Sequence, residues 1–454
     1  MTGGVPRIVV AGTGSGVGKT TVATGLMAAL RARGHAVQGF KVGPDYIDPS
    51  YHSLACGRPG RNLDAVLCGP ELVGPLFRHG AAGASVAVVE GVMGMFDGAS
   101  GRGELASTAQ VAKLLAAPVA LVVDARAMAR SAAAVVLGFA RYDPEVRIAG
   151  VILNRVGSDG HEALLREAIA PLGVPVLGVL RRDDALAVPE RHLGLVPAGE
   201  RRGQADRWVE SAAAAVAAGV DLDGLVRLAR GAGPAPGPDW SPDGAIGEGR
   251  ERARVAVARG PAFGFHYQEN LELLSAAGAE LAEFDPLHDE TLPDGAGALV
   301  LAGGFPEAFG ETLAENAALS AGVAAFARSG RPVVAECGGL LYLCRELDGR
   351  PMCGVIPATA RMTTGLSLGY RAAVATVDSA CWRAGEEVHG HEFHYSRVTP
   401  EPSPGREAWA MRARAEAWRE GFAEGNVHAS YLHTHWAATP AAARRLAAEA
   451  ARWA

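Results

Sequence analysis

Residues 9 to 21 read VVAGTGSGVGKTT: an apolar run stops at a glycine, passes three more glycines, and resumes as a helix-forming stretch. Few folds accommodate that order. An apolar run without alternation is a strand covered on both faces, and a helix that follows a glycine-rich turn opens on amides with no partner of their own. Glycine takes positive φ and lets main chain approach a ligand closely, so such a turn offers its N–H groups to an anion, above all a phosphate. Gly14, Gly16 and Gly18 supply the loop backbone, Lys19 the charge for β- and γ-phosphates, Thr20 a hydroxyl for Mg²⁺, and Thr21 the first helical turn. The pattern requires a nucleoside triphosphate, ATP. Gly12 and Gly18 stand one residue further apart than in the common G-x4-G-K-[ST] spacing.

Strand-like runs alternate with Ala/Leu-rich helical patterns through the first half: Arg7–Ala11, Ala36–Val42, Val86–Glu90, Val119–Asp124, Ile148–Asn154 and Val176–Leu180, with helices from Thr20–Arg33 onward and a last helical stretch Gln204–Arg230. That alternation implies a parallel sheet covered on both faces. The Gly-, Pro- and Asp-rich stretch 231–249 has no apolar period and reads as a linker. Alternation then resumes with Arg254–Ala258, a helix Asn270–Ala277, Ala298–Ala302, a helix Glu311–Arg328 and Val333–Glu336. Shorter strands follow, then a strand Val427–Leu432 and a helix from Pro440. A chain of 454 residues exceeds one core. We therefore expect two α/β domains, 1–230 and 250–454.

The formal charge of -6, with Lys and Arg dispersed, excludes the basic face of a nucleic-acid binder. No run of about 18 uncharged apolar residues stands in the chain, so no membrane partner is expected. The opening MTGGVPRIVVAG has no basic-plus-apolar leader, and the six cysteines lack CxxC spacing. Reduced thiols in a cytoplasmic protein are the expectation.

In an open α/β sheet the residues just past the strand C-termini face the ligand crevice. Lys41, Asp45 and Asp48 follow the second strand in FKVGPDYIDP. Glu90 ends VAVVE, four apolar residues and a carboxylate, the layout of a Mg²⁺ ligand at a strand tip; Asp64 in RNLD is a further candidate. Asn154, ending GVILN, offers an amide to a nucleotide base.

In the second half VVAECGGLLYL sets Cys337 at a sharp strand-to-helix turn, where a nucleophile is held clear of its backbone and a helix N-terminus favours the thiolate. SYLHTHW supplies His433 and His435, two residues apart and so able to share one face of a strand. The Gly303-Gly304 turn of LAGGFPE, with Gly304 and Gly338 as donors, offers backbone N–H groups for an oxyanion. HGHEFHY lacks the helical HExxH spacing and reads as a packed or substrate-facing strand rather than a zinc site.

These stretches together resemble a known family. VAGTGSGVGKTT, GFKVGPDYIDPSYH, RNLD, VVEGVMGMFDG, VILNRV, AFGFHYQENLELL, LAGGFPE, AECGGLLYL, GHEFHYS and SYLHTHW span residues 10 to 436. They are similar to the a,c-diamide synthases of the corrin pathway, glutamine amidotransferases of cobalamin biosynthesis acting on cobyrinate or hydrogenobyrinate. The long loop spacing is shared with the dethiobiotin-synthetase-like branch of phosphate-loop enzymes. The resemblance implies that fold for the first domain and a class I glutaminase-like α/β fold for the second. It also implies a ligase chemistry: Mg-ATP phosphorylates a carboxylate, and ammonia from L-glutamine displaces the phosphate.

On matching positions, Lys19, Thr20 and Lys41 hold ATP phosphates. Thr20, Glu90 and Asp64 hold Mg²⁺. Asp45, Tyr46, Asp48 and Asp97 line the macrocycle and acyl-phosphate site, and His433 is the base for Cys337. Related class I glutaminases carry H-x-E at the last strand; here His435 stands in the acid's place, which reduces the triad to a pair. A homodimer is admitted. The rivals are a cobyric acid synthase type, for which a stretch other than GPDYIDPSYH is expected, and a phosphate-loop ATPase with an inactive glutaminase tail. That last class often carries a Lys five residues before Lys19, where this chain has Gly14.

Overall fold

The computed structural model describes residues 4–186, 190–191, 194–413 and 416–453. They fall into two compact units, Met1–Trp240 and Ser241–Ala454. The first runs β1 (Arg7–Gly12), α1 (Lys19–Ala32), β2 (Val37–Val42), α2 (Ile47–Cys56), β3 (Arg61–Leu63), α3 (Pro70–Gly80), β4 (Val86–Glu90), α4 (Thr108–Leu114), β5 (Val119–Asp124), α5 (Ser131–Tyr142), β6 (Ile148–Val156), α6 (Asp159–Ile169) and β7 (Val176–Arg181). A two-residue ribbon of β8 (Glu190–Arg191) and β9 (Gly194–Leu195) follows, then α7 (Arg202–Gly219) and α8 (Leu222–Arg230).

Strands β1 to β7 form one sheet in the order β3-β2-β4-β1-β5-β6-β7, every neighbour parallel. β1, β2 and β4 are buried along their whole length, as apolar runs covered on both faces must be. The order turns at β1, whose neighbours are β4 and β5, and a crevice opens past the strand ends at such a point.

The second unit runs α9 (Pro242–Ile246), β10 (Ala253–Ala258), α10 (Gln268–Ala276), β11 (Ala279–Phe284), β12 (Ala298–Leu301), α11 (Gly310–Glu315), α12 (Ala317–Arg328), β13 (Val333–Glu336), α13 (Gly338–Leu343), β14 (Cys344–Leu347) and β15 (Arg350–Pro351). It ends with β16 (Ile356–Ala375), β17 (Glu387–Thr399), β18 (Glu407–Ala413), β19 (Glu416–Glu424), β20 (Val427–Ser430), β21 (His433–Thr434) and α14 (Ala441–Ala451). β11-β10-β12-β13-β20 are parallel neighbours, and β19, β18 and β16 extend the sheet antiparallel from β20. Phe263, Leu299, Leu301, Val333, Leu340 and Tyr342 belong to one buried cluster beneath the turn at Cys337.

Four local readings of the sequence change. β3 and β11 are edge strands that no apolar run announces: one has three residues, the other alternates Glu with apolar residues. The helical stretch 204–230 breaks at Val220, which bridges Gly178, and restarts with Asp221 accepting from Gly224 N. The stretch 311–328 breaks at Asn316, whose side chain caps α12. The last strand stops at Ser430, because the half-buried Glu420 accepts from Ser430 Oγ at 2.6 Å and from Tyr431 N at 2.8 Å and draws the chain out of the ladder.

Within the stretch read as a linker, residues 231–240 lie on the first unit, where Arg78 donates to the Ala235 and Pro236 carbonyls at 2.6 and 2.9 Å. Residues 242–246 form α9 of the second unit.

Candidate functional site

In the first unit the chemistry gathers at the tips of β1, β2 and β4. The loop after β1 is held open by its neighbours: Thr13 N donates to Val122 O at 3.2 Å and Met95 N to Gly12 O at 2.9 Å. Gly18, at φ 96°, lies so close to Asn154 that a Cβ there would collide with the amide nitrogen. Lys19 is buried and its Nζ donates to Gly14 O at 2.8 Å, so the ammonium lies over the loop backbone. Burial, then the charge of Lys41, lowers Lys19 to about 8.

Lys41 and Glu90 are register partners across β2 and β4 and both are buried. Lys41 Nζ lies 3.0 Å from Glu90 Oε1, 3.1 Å from Gly91 O, and against Asp48 Oδ2. Thr20 Oγ1 donates to the same Glu90 oxygen at 2.6 Å, and His52 Nε2 lies 2.7 Å from the other. One ammonium therefore faces two buried carboxylates. Burial works against the Lys41 charge, but Asp48 and Glu90 outweigh it and hold Lys41 above its usual range. Burial likewise opposes the Glu90 charge, but Lys41 and the donors keep it far below the usual carboxylate range. Asp48 is pushed up, by burial first and then by Asp45 and Glu90. The network is thus an ionised Glu90, a charged Lys41 and a second carboxyl that holds its proton more readily.

The other expected residues stand nearby in distinct settings. Asp45 Oδ1 accepts from Ile47 N and Asp48 N at 2.7 and 3.1 Å, which fixes the start of α2 beside Tyr46. Asp97 is exposed, and its Oδ2 accepts from Gly94 N at 2.9 Å in a turn against Gly14. Asp64 is buried past β3 and its Oδ1 accepts from Val66 N and Leu67 N at 2.7 and 2.9 Å. Asn154, the residue offered to a nucleotide base, also braces the loop: Nδ2 donates to Val17 O at 2.9 Å and Oδ1 accepts from Arg155 N at 2.9 Å.

His52 escaped the sequence reading. It lies one helical turn after Asp48 on α2, and that spacing, which places both on one face, was the signal available.

Mg²⁺ binds through one or two carboxylates, phosphate and water rather than in an all-protein cage. Thr20 and Glu90 meet within a hydrogen bond, and among the described residues no group of three His, Cys, Asp or Glu side chains forms a metal cluster. That donor set fits a phosphate-bound Mg²⁺ at Thr20 and Glu90.

In the second unit Cys337 takes φ 46° and ψ −100°, a conformation that strains a side-chain-bearing residue by about 1–3 kcal/mol. It is held there by a bond from its N–H to Ser430 O at 2.7 Å across the β13–β20 pair. Sγ lies 3.9 Å from Phe393 O. The helix-terminus argument predicted an activated thiolate, but burial, then Glu307, pushes the thiol well above its usual value against the lowering effect of the Gly338 N–H. α13 has only six residues and supplies little dipole.

The Gly303-Gly304 turn separates the elbow from the histidine. A Cβ on Gly338 would press on Gly304 N, and one on Gly303 would strike His433 Cε1. The two candidate oxyanion donors are therefore adjacent, with the imidazole edge over the same turn. His433 pairs with His391 across β21 and β17.

The two late histidines do not share a setting, because the chain leaves β21 after Thr434. His433 Nδ1 lies 3.6 Å from Glu336 Oε2, whereas His435 Nε2 lies 3.5 Å from Glu269 Oε2, with its ring 4.6 Å from that of Tyr267. Glu336, the residue before the nucleophile, is the second group the sequence reading missed. The segment HGHEFHY is strand β17, as its short spacing implied.

Two family models match: the CobQ/CobB/MinD/ParA nucleotide binding domain over residues 8–196 and the CobB/CobQ-like glutamine amidotransferase domain over 254–441. The hydrogenobyrinate a,c-diamide synthase of Streptomyces coelicolor is 59% identical, covering 97% of this chain and 96% of that protein. The enzyme of that name from Mycobacterium tuberculosis is 53% identical with 98% of each chain covered. The cobyrinate a,c-diamide synthase of Syntrophotalea carbinolica is 44% identical with 97% of each covered. With a nucleotide-binding loop in one unit, a cysteine elbow in the other and relatives aligned from end to end, the chain belongs to the a,c-diamide synthase family of amide-forming, glutamine-dependent ligases.

Proposed function

We propose that the chain amidates the a and c acetate carboxylates of hydrogenobyrinate, using ATP and L-glutamine. The observation that carries the reading is the assembly of both reactive centres in one chain, the Lys41–Glu90–Thr20 cluster under the loop and the Cys337 elbow beside Gly303-Gly304. Hydrogenobyrinate is preferred to cobyrinate because relatives of the first name are 51 to 59% identical to this chain and those of the second 42 to 44%.

In the synthetase half, the loop N–H groups and Lys19 bind the triphosphate, Lys19 exchanging Gly14 O for phosphate oxygen. Thr20 and Glu90 would hold Mg²⁺, which draws charge off the β- and γ-phosphates when bound. Asp64, buried past β3, is the further candidate ligand for that ion. Lys41 neutralises the transferring phosphoryl group, and Asp45, Tyr46, Asp48 and Asp97 border the macrocycle carboxylate.

In the glutaminase half, Cys337 Sγ attacks the glutamine carboxamide carbon. The oxyanion forms at the Gly304 and Gly338 N–H groups, and His433 carries the thiol proton to the leaving ammonia. Water then hydrolyses the thioester to glutamate. A cytoplasmic setting is part of this reading, and the six free cysteines support it. Each chain carries both centres, so a homodimer would hold two complete pairs.

Mass spectrometry of purified enzyme with each macrocycle, ATP, Mg²⁺ and glutamine tests the reading. Two successive single-amide steps on hydrogenobyrinate are expected; further steps would favour the cobyric acid synthase type, and no step would overturn the assignment. Cys337→Ala should lose glutamine-driven amidation and keep it with ammonium salt at high pH.

A further inference from the structure

We infer that Glu336 is the positioning carboxylate of the glutamine site, orienting His433 through Nδ1 in place of the acid that the chain lacks two residues after that histidine. This rests on the reading of the second unit as a glutaminase.

Glu336 ends β13 immediately before the nucleophile, so the strand that presents Cys337 also presents the carboxylate. Its two oxygens have separate tasks. Oε1 accepts from Thr434 N at 3.2 Å and from Thr434 Oγ1 at 2.9 Å, which ties down the residue after His433. Oε2 lies 3.6 Å from His433 Nδ1. The other edge of the ring is limited by Gly303, where only a glycine leaves room for Cε1. With Nδ1 turned to Glu336, Nε2 is the nitrogen that remains for the thiol proton.

His435, in the place where an acid was expected, is drawn instead to the buried Glu269 at 3.5 Å and lies against Tyr267. When the Cys337 proton passes to Nε2, the imidazolium carries its second N–H on the side of Glu336, whose charge favours that form. The other titratable groups about the pair include His391 across the β21–β17 ladder, Tyr431, and Glu307 and Glu392, which with Glu336 itself raise the thiol.

Gln at position 336 separates the two tasks, since its carbonyl oxygen still accepts from Thr434 but it carries no charge. We expect Glu336→Gln to lower kcat for glutamine hydrolysis at least about tenfold with KM little changed. The pH of half-maximal alkylation of Cys337 by iodoacetamide should rise by about one unit. In a His433→Ala background the same substitution should leave kcat unchanged and should not raise the alkylation pH. The direct effect of the Glu336 charge on the thiol is to raise it, and its removal acts the other way.

Wild-type kcat and alkylation profile in Glu336→Gln would overturn the assignment, as would an equal loss with and without His433. Thr434→Val removes the hydroxyl bond to Oε1, and with it the one accepted from Trp436 Nε1, while the Thr434 N–H bond to Oε1 and the Oε2 side stay. If it shifted the alkylation profile as Glu336→Gln does, Glu336 would be only an anchor for Thr434. Should Glu336→Gln fail to fold, Glu336→Asp keeps the charge and withdraws it by one methylene. It should lower kcat in the wild-type background and not in His433→Ala, and a loss in both would overturn the proposal. Absence of glutamate release by the wild-type enzyme would instead remove the glutaminase reading, whatever Glu336 does.

Discussion

Lys41→Met tests the charge balance under the phosphate loop. Methionine nearly matches the lysine stem in volume, so the substitution removes a charge without opening a cavity. At 3.0 Å from Glu90 Oε1 and an effective dielectric constant of about 20, the lost attraction is roughly 5 kcal/mol. Removing one partner of a buried pair typically destabilises by about 3–5 kcal/mol. Thr20 and His52 still hold Glu90, which argues for the lower end, about 3 kcal/mol near pH 8. In a unit of this size that lowers Tm by roughly 6–12 °C.

The pH dependence carries the stronger test. Without Lys41, Asp48 and Glu90 repel one another, and at least one carboxyl takes a folded pKa above its unfolded value near 4. Such a group binds a proton more tightly in the folded state, so stability falls as pH rises through the interval between the two values. The variant should therefore recover much of its deficit at pH 5. Calorimetry of wild type and variant at pH 5 and pH 8 measures this, with the transition of the second unit as reference. An equal deficit at both pH values, or none at pH 8, would refute the charge assignment.

Lys19→Ala should reduce amide synthesis by about 100-fold or more while glutamine hydrolysis at Cys337 continues, as glutamate release shows. Glu420 is pushed up to about 8 by burial and then by Glu392, so wild-type stability falls as pH rises from about 4.5 toward 8. Glu420→Gln keeps an acceptor for Tyr431 N, offers an amide donor to Ser430 Oγ in place of the second oxygen, and removes the ionisation. Its denaturation midpoint should gain on wild type between pH 5 and pH 8, and a constant difference would show that Glu420 does not titrate there.

The phosphate loop, the strand-tip acids and the cysteine elbow were legible because each is written in consecutive residues whose backbone demands are unusual. Gly18 must accept positive φ beside Asn154, and Glu90 must end an apolar strand. His52 was not legible because its meaning depends on β4 arriving beside α2, a contact between segments about 40 residues apart. Glu336 was hidden by its place next to the nucleophile, and the sequence drew attention to His435 instead. The divergence of His433 and His435 follows from the chain leaving β21 after Thr434, a break that no periodicity records. The raised Cys337 thiol was missed because burial depends on the packed cluster rather than on the turn.

The first strand of the chain occupies the middle of its sheet, and this sets the order in which a ribosome can deliver a working loop. β1 bonds on one side to β4 and on the other to β5, with Gly12 opposite Val122, so about 110 residues must follow Gly12 before its second neighbour exists. At about 5–20 residues per second the nascent VVAG segment waits roughly 5–20 s before that second neighbour has been made. Parallel pairing across that separation is slow even afterwards, because the intervening loop must close first. Helix α1 has the local contacts to form earlier, and it shields one face of β1 during the wait. The nucleotide loop, though among the earliest residues made, is among the last features of its unit to take shape.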